Sequence, residues 1–309
     1  MIIDIYKYRR TIICTAIIGF VSAVFFFLAL DDNCNDQAPI IEDSAQYGEF
    51  LSWAEVNKLF PKYCEAKVID LETGSHFMIQ RRGGTYHADV QPLTARDTEV
   101  MKKIYNDKWS WKRRAVIIQL DNNQKIAASM NGMPHGLGNI EGNNFDGHFC
   151  IHFKDSTTHG SRKVDTAHQL MIWKSAGLLD RQLSSLKAGD TIDVFLAAVD
   201  QGEKITAVKL LDTGSWNTIL LLELANIDDI KTYEITPVDG NTFQTNVRLI
   251  YKGSSTSYNK SLLIETIQRG TNWRIDSQSL TPLFKANNEI PSTSIDAGVF
   301  EEDLEAGSL

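Results

Sequence analysis

Twenty consecutive residues, Thr11 to Leu30, carry no charge. Inside a bilayer every backbone N–H and C=O has to be satisfied within the segment itself, so a lone run of this kind has one structural option, a helix. At 1.5 Å rise per residue, about 20 residues cover the roughly 30 Å hydrocarbon layer. A cleaved signal peptide has an apolar stretch of about 7 to 15 residues with small residues before the cut, whereas this run is longer and ends Leu28-Ala29-Leu30-Asp31-Asp32. The expectation is an uncleaved anchor that meets the lipid bilayer through residues 11–30. Lys7, Arg9 and Arg10 precede it and Asp31, Asp32 and Asp36 follow, which puts the N-terminus in the cytoplasm and the bulk of the chain outside, as a single-pass cell-membrane protein. A cleaved leader leaves the same exterior location. There Cys34 and Cys64 can form a disulfide, a point on which spacing is silent.

Beyond the anchor, residues 31–48 are acidic and without helical or strand period, and read as a spacer. Residues 76–178 hold 14 Lys+Arg against 9 Asp+Glu, a net of +5, while residues 179–309 hold 11 against 19, a net of −8. Opposite signs predict two regions, 49–178 and 179–286, followed by a disordered acidic tail at 287–309. In the first, a short helix spans Ser52 to Phe60 and stops at Pro61. Hairpins are expected at 66–70 with 75–80 and at 113–120 with 125–130, and helices at 94–105 and 165–175, the last closed at Gly177. In the second, a helical turn at 179–186 leads into strands at 191–198, 205–211, 219–224, 231–237, 246–252, 260–268 and 273–280. The fold class is therefore α+β, mainly β: one N-terminal transmembrane helix, a β-rich region, then a second antiparallel β-rich (α+β) region. The stretch from Ile267 to Asp276 resembles the last hairpin of nuclear-transport-factor-like cone domains.

The candidate chemistry lies between Met130 and Gly160. Gly147-His148-Phe149-Cys150-Ile151-His152-Phe153 alternates strictly, so on a strand Phe149, Ile151 and Phe153 face a core while His148, Cys150 and His152 share the other side. Residues two apart on one face are separated by about 6.5 to 7 Å, close enough for an imidazole to hold a thiolate and move its proton. Upstream, Asn131 to Gly138 is a loop bent by Gly and Pro that can return His135 over the strand. Gly136 and Gly147 leave room for backbone N–H groups to approach a substrate carbonyl. Trp109 and Trp111, beside Lys112, Arg113 and Arg114, suit a cleft in which rings stack on sugars and cations meet carboxylates.

His135-Gly136 followed by Gly147-His148-Phe149-Cys150-Ile151-His152 resembles the signature of the YkuD-type L,D-transpeptidases, His-Gly, a spacer, then Ser/Thr-His-Gly-Cys-Ile-Arg/Asn. Gly147 stands where Ser or Thr is usual, Phe149 replaces the second Gly, and His152 replaces Arg or Asn. The resemblance, plausible over about 66–178, implies a β-rich catalytic domain in which Cys150 attacks a peptidoglycan stem peptide, His148 is its proton partner and His135 a second pocket imidazole. His152, Gly136, Gly147, Trp111 and Arg113 are the implied substrate contacts. The segment with His87-Ala88-Asp89-Val90 also looks like a group of bacterial exterior proteins that share this Cys/His motif.

The expected function is thus an extracytoplasmic L,D-transpeptidase-like enzyme acting on peptidoglycan stem peptides through a cysteine acyl-enzyme, with no cofactor and no resident metal. A zinc-dependent cell-wall peptidase is the competing reading, with His135, Asp146, His148, Cys150 and His152 as available ligands. No His-x-x-x-His helix or Cys-x-x-Cys pair marks that site. A non-catalytic wall-binding membrane protein, with 179–286 contacting a protein partner, is the third. His87 and Asp89 read as turn residues before Pro92, and His159 and His168 as structural or solvated. A formal charge of −8 argues against nucleic acid as a partner.

Overall fold

The structure, a computed structural model, describes residues 46–138, 140–212 and 218–284. The expected anchor at 11–30, Cys34, most of the 31–48 spacer and the 287–309 tail lie outside the described residues. Among the described residues no helix is long and apolar enough to cross a membrane.

Local chemistry sets each element of the first half. Ser52 begins helix α1 (Trp53–Leu59) through a capping box in which its N–H donates to Glu55 Oε2 at 2.8 Å. Strands β1 (Glu65–Asp70) and β2 (His76–Gly83) form a hairpin, its turn held by the Thr73 N–H donating to Asp70 Oδ2 at 3.0 Å. After β3 (Ala88–Pro92), Thr94 and Asp97 make a second capping box at the start of α2 (Ala95–Ile104). Strands β4 (Arg114–Gln119) and β5 (Lys125–Met130) form the second hairpin. β6 (Phe149–His152) follows a long loop, and α3 (Thr166–Ser175) is capped by Asp165, whose Oδ1 accepts the His168 N–H at 2.7 Å.

The six strands close into a barrel in the order β1-β2-β3-β6-β5-β4. Closure follows from alternation: Val68, Phe77, Ile79, Val90, Ile118, Ile126, Phe149 and Ile151 are fully or almost fully buried in one cluster, so the residues between them lie on the outer face. β6 thereby turns Phe149 and Ile151 inward and Cys150 and His152 outward, and the His168 ring of α3 stacks on His152. All four residues of the strand are buried.

The second half is α+β. Helices α4 (Leu179–Ser184), α5 (Ala188–Asp200), α6 (Lys204–Lys209) and α7 (Thr218–Ala225) interleave with β7 (Leu211–Asp212) and then β8 (Ile227–Asp239), β9 (Thr242–Tyr251), β10 (Ser257–Arg269) and β11 (Asn272–Asp276). The sheet order is β7-β11-β10-β9-β8, antiparallel except where β11 meets β7. Strand outnumbers helix over the described residues. The strands expected at 191–198, 205–211 and 219–224 are α5, α6 and α7. A nearly continuous apolar run has no distinguishing period, so a helix buried on most sides reads like a buried strand. Ile192, Phe195, Leu196 and Val199 of α5 are all buried, and the helix packs on β8 and α3.

Ala115 of β4 belongs to the core of this second half, and charged pairs cross the junction: Lys112 Nζ donates to Asp200 Oδ1 at 3.0 Å, and Lys174 pairs with Glu203. Because Phe195 is fully buried in that core, Phe195→Ala lowers the unfolding free energy by about 3–5 kcal/mol, measured by urea denaturation. A loss below about 1 kcal/mol would show that α5 is not packed as described.

Candidate functional site: a cysteine ringed by histidines

Register builds the centre of the site. On β3 and β6, Asp89 is the direct antiparallel partner of Cys150, so a carboxylate and a thiol stand side by side on the outer face of the barrel. Cys150 Sγ to Asp89 Oδ1 is 3.9 Å. His87, two residues before Asp89, joins the same face: its Nε2 is 3.1 Å from Cys150 Sγ and 3.3 Å from Asp89 Oδ1. The loop after β6 brings back His159, whose Nε2 lies 3.4 Å from the same carboxylate oxygen.

From the other side, the loop joining β5 to β6 supplies two more imidazoles. His135 and His148 face each other in an isolated antiparallel bridge, each N–H donating to the other's carbonyl at 2.9 and 2.8 Å. Two glycines make the pairing possible. Gly136 has φ +60° and a Cβ there would run into the His148 ring. Gly147 has φ +103° and a Cβ there would run into the His135 carbonyl. The bridge sets His135 Nε2 at 3.2 Å from Cys150 Sγ and His148 Nε2 at 3.9 Å from Asp89 Oδ1.

The orientation of these rings is fixed from behind. His87 Nδ1 donates to Thr157 O at 2.9 Å, His135 Nδ1 to Met133 O at 2.8 Å, and His148 Nδ1 to Leu137 O at 3.1 Å. A carbonyl only accepts, so each Nδ1 carries a proton and each ring turns its Nε2 to the centre. Burial raises the Asp89 pKa, but hydrogen bonds from His159 and His87 and the fields of His87 and His148 outweigh it, and the carboxyl is held well below the usual carboxylate range. The cluster is buried on the barrel side, with His87 inaccessible, while Asp89 and His159 retain 16% and 14% of their side-chain exposure. The site therefore opens to solvent on the Asp89, His148 and His159 side.

Beneath the centre lies a stack of imidazoles. The His152 ring lies 4.3 Å from that of His87 and 3.7 Å from that of His168, nearly parallel to both. Burial first, then neighbouring positive charge, pushes both His152 and His168 well below the ordinary histidine value. His168 Nδ1 is 2.8 Å from Ser129 Oγ, whereas His152 Nδ1 is buried with no hydrogen-bond partner.

Cys150, His148 and His135 thus come together, and Gly136 and Gly147 shape the bridge that aims the two imidazoles. His152 sits below the cluster, sandwiched between rings. Trp111 touches the His135 ring at 5.1 Å between centroids and, with Trp109, Lys112, Met133 and Lys231, lines a groove of about 280 Å³. Arg113 also borders that groove, its guanidinium tied to Asp165 at 3.1 Å. Asp146 is exposed; the carboxylate at the centre is Asp89. His87, Asp89 and His159 are the members that reading the sequence overlooked. The spacing His87-x-Asp89 does put both side chains on one face of a strand, but only the β3–β6 register sets them against Cys150.

Two groups of side chains have ligand atoms within 4.8 Å of one another: His87, Asp89, Cys150 and His159, and His135, His148 and Cys150. No family model matches the chain, and no curated protein matches it.

The buried His168 makes stability depend on pH. Its folded pKa is depressed below the ordinary 6.5, so as pH falls through about 6.5 the unfolded chain takes up a proton that the folded chain refuses, and stability drops toward acid. The slope approaches about 1.4 kcal/mol per pH unit for one such group. His168→Gln is expected to flatten the decline of the unfolding free energy, read from urea denaturation between about pH 7 and 5, by nearly that amount. An unchanged slope would mean that His168 protonates freely in the folded protein.

Proposed function

We propose that the chain is an extracytoplasmic, membrane-anchored enzyme that cleaves peptide bonds of bacterial peptidoglycan at a metal centre of the zinc class, built on Cys150. This departs from the expectation of a site without cofactor or metal. The observation that carries it is the convergence of imidazole Nε2 atoms, three of them on rings whose Nδ1 is held by a carbonyl, on one thiol and one carboxylate. Donor atoms 3.1 to 3.4 Å apart repel unless protons or a cation lie between them. An imidazole whose Nδ1–H is bound to a carbonyl, with Nε2 turned to a thiolate and a carboxylate, has the arrangement of a zinc ligand.

Such an ion lowers the pKa of a bound water and polarises a carbonyl. The chain's own groups do the rest. Asp89, ionised and partly solvated, accepts hydrogen bonds at the open side. The Trp109 and Trp111 groove next to His135, with Lys112 and Lys231, offers aromatic faces and cations to a chain of sugars and acidic peptides. The exterior location and the wall substrate rest on the apolar run at 11–30 and on the resemblance of the motif.

A second reading, the L,D-transpeptidase-like one, is favoured by the contact of His135 Nε2 with Cys150 Sγ at 3.2 Å. There the imidazole takes the thiol proton, Cys150 attacks the peptide carbonyl, and the acyl group passes to an amine or water.

The full chain purified in detergent without added metal is expected to carry zinc or a similar ion in its native mass. Cys150→Ala and Asp89→Asn each lose it, and with it the release of peptide from soluble muropeptides. If no metal is present and Cys150 acquires a covalent adduct from a tetrapeptide muropeptide or a carbapenem, the second reading replaces the first.

A further inference from the structure

Zinc is satisfied by four ligands, and this centre offers six donor groups. They divide by position in the fold. His87 and Asp89 stand on or beside the barrel strand β3, and His159 on the loop that follows β6. His135 and His148 belong to the loop before β6 and are held by their own two-hydrogen-bond bridge. Cys150 is common to both groups.

We infer that the site holds two divalent cations in unequal positions that share the Cys150 sulfur, an inference that rests on the metal reading above. The first position has four protein ligands, His87 Nε2, Asp89, Cys150 Sγ and His159 Nε2. That is the full tetrahedral set of a closed site. Its edges, 3.1 Å from His87 Nε2 to Sγ, 3.3 Å from His87 Nε2 to Oδ1, 3.4 Å from His159 Nε2 to Oδ1 and 3.9 Å from Sγ to Oδ1, bracket the roughly 3.3–3.7 Å that bonds of about 2.0–2.3 Å give around a tetrahedron. The second position has three protein ligands, His135, His148 and Cys150, and leaves a fourth direction open, the pattern of a catalytic site. A shared thiolate suits the spacing of about 3.5–4 Å at which paired metal ions work.

Charge separates the two positions further. The Cys150 thiolate and the Asp89 carboxylate together carry −2, enough to neutralise one divalent cation. The second keeps its charge at the open position, beside the Trp111 groove, and suits an anionic or carbonyl-bearing substrate group. The ligands of the first stand mainly on the barrel wall, while those of the second depend on a loop whose geometry needs Gly136 at φ +60°. The second ion therefore binds more weakly.

The experiment is a titration of the chelator-treated full chain in detergent with Zn²⁺ or Co²⁺, with native mass giving the number bound and the thiolate-to-cobalt absorption reporting on Cys150. Two ions per chain are expected, the first tighter than the second by tenfold or more. Gly136→Ala, whose methyl displaces the His148 ring, and His135→Ala, which leaves the loop backbone alone, each retain one ion and the thiolate absorption. A single ion in the wild type that both variants keep overturns the two-ion inference and leaves the metal enzyme standing. No bound ion in the wild type overturns both.

Discussion

The pairing of β3 with β6 is the constraint on which the rest depends. It closes the barrel between the β1–β2 hairpin and the β4–β5 hairpin, and the same register sets Asp89 opposite Cys150. Strand alternation leaves no freedom here. With Val90, Phe149 and Ile151 in the core, Asp89, Cys150 and His152 have to face out, and a slip by one residue would exchange a greasy set for a titratable one. The core therefore specifies the site: burial of the phenylalanines and isoleucines holds the thiol and the carboxylate in contact. The other imidazoles arrive on loops or strand ends, and those of His87, His135 and His148 are each fixed by a main-chain carbonyl. This fits a scaffold in which the rigid element fixes the central atoms and the loops adjust the periphery.

The electrostatics of the cluster are demanding. A thiol, a carboxylate and four imidazoles meet around one point, with two further imidazoles stacked beneath at 4.3 and 3.7 Å. Depressed pKa values keep the deep pair, His152 and His168, neutral, so the positive charge that Asp89 needs has to come from the upper ring of histidines or from a bound cation. Asp165 and Arg113 sit at the far end of the stack: the guanidinium holds the buried Asp165 carboxyl below its usual range against the effect of burial, and its field helps keep His168 unprotonated. The N-cap of α3 thus does two jobs, starting the helix that lies beneath the stack and anchoring the charge that keeps His168 neutral.

How much of this was legible in the sequence depends on whether the information is local. Both hairpins of the barrel, the cap at Thr94 and the alternation of Phe149 to Phe153 follow from turn residues, caps and period, which act over a few positions. The helices at 188–200, 204–209 and 218–225 were misread as strands because their apolar runs are nearly continuous, and the choice between helix and strand was made by the sheet and helices that bury them. The site shows the same division. Cys150, His148 and His135 stood out because two of them alternate on one strand and the third sits in a glycine loop beside them. His87 and Asp89 are 61 residues or more away from Cys150 along the chain, and nothing local ties them to it. His159 is closer but reaches the centre through a loop that turns at Asp155 and Arg162, both at positive φ.

Burying so many titratable groups beneath a helix conflicts with what stability alone would select. The outer face of β6 under α3 could hold leucine and valine, and buried polar clusters are seldom more stable than well-packed apolar ones of the same volume. His152 sharpens the point, because its orphaned Nδ1 adds a cost of about 1–3 kcal/mol that an apolar ring would avoid. Local rules are mostly obeyed elsewhere in the barrel: apart from a register shift between Arg81 and Gly83 the strands pair regularly, caps are filled and turns carry the residues they need. A region dense in buried titratable groups, with the rings of His87, His135 and His148 each oriented by a main-chain carbonyl, is the kind of place where a fold gives up stability for chemistry. The titratable groups of this region converge on Cys150 Sγ and Asp89 Oδ1, with four imidazoles drawn from three separate segments of the chain.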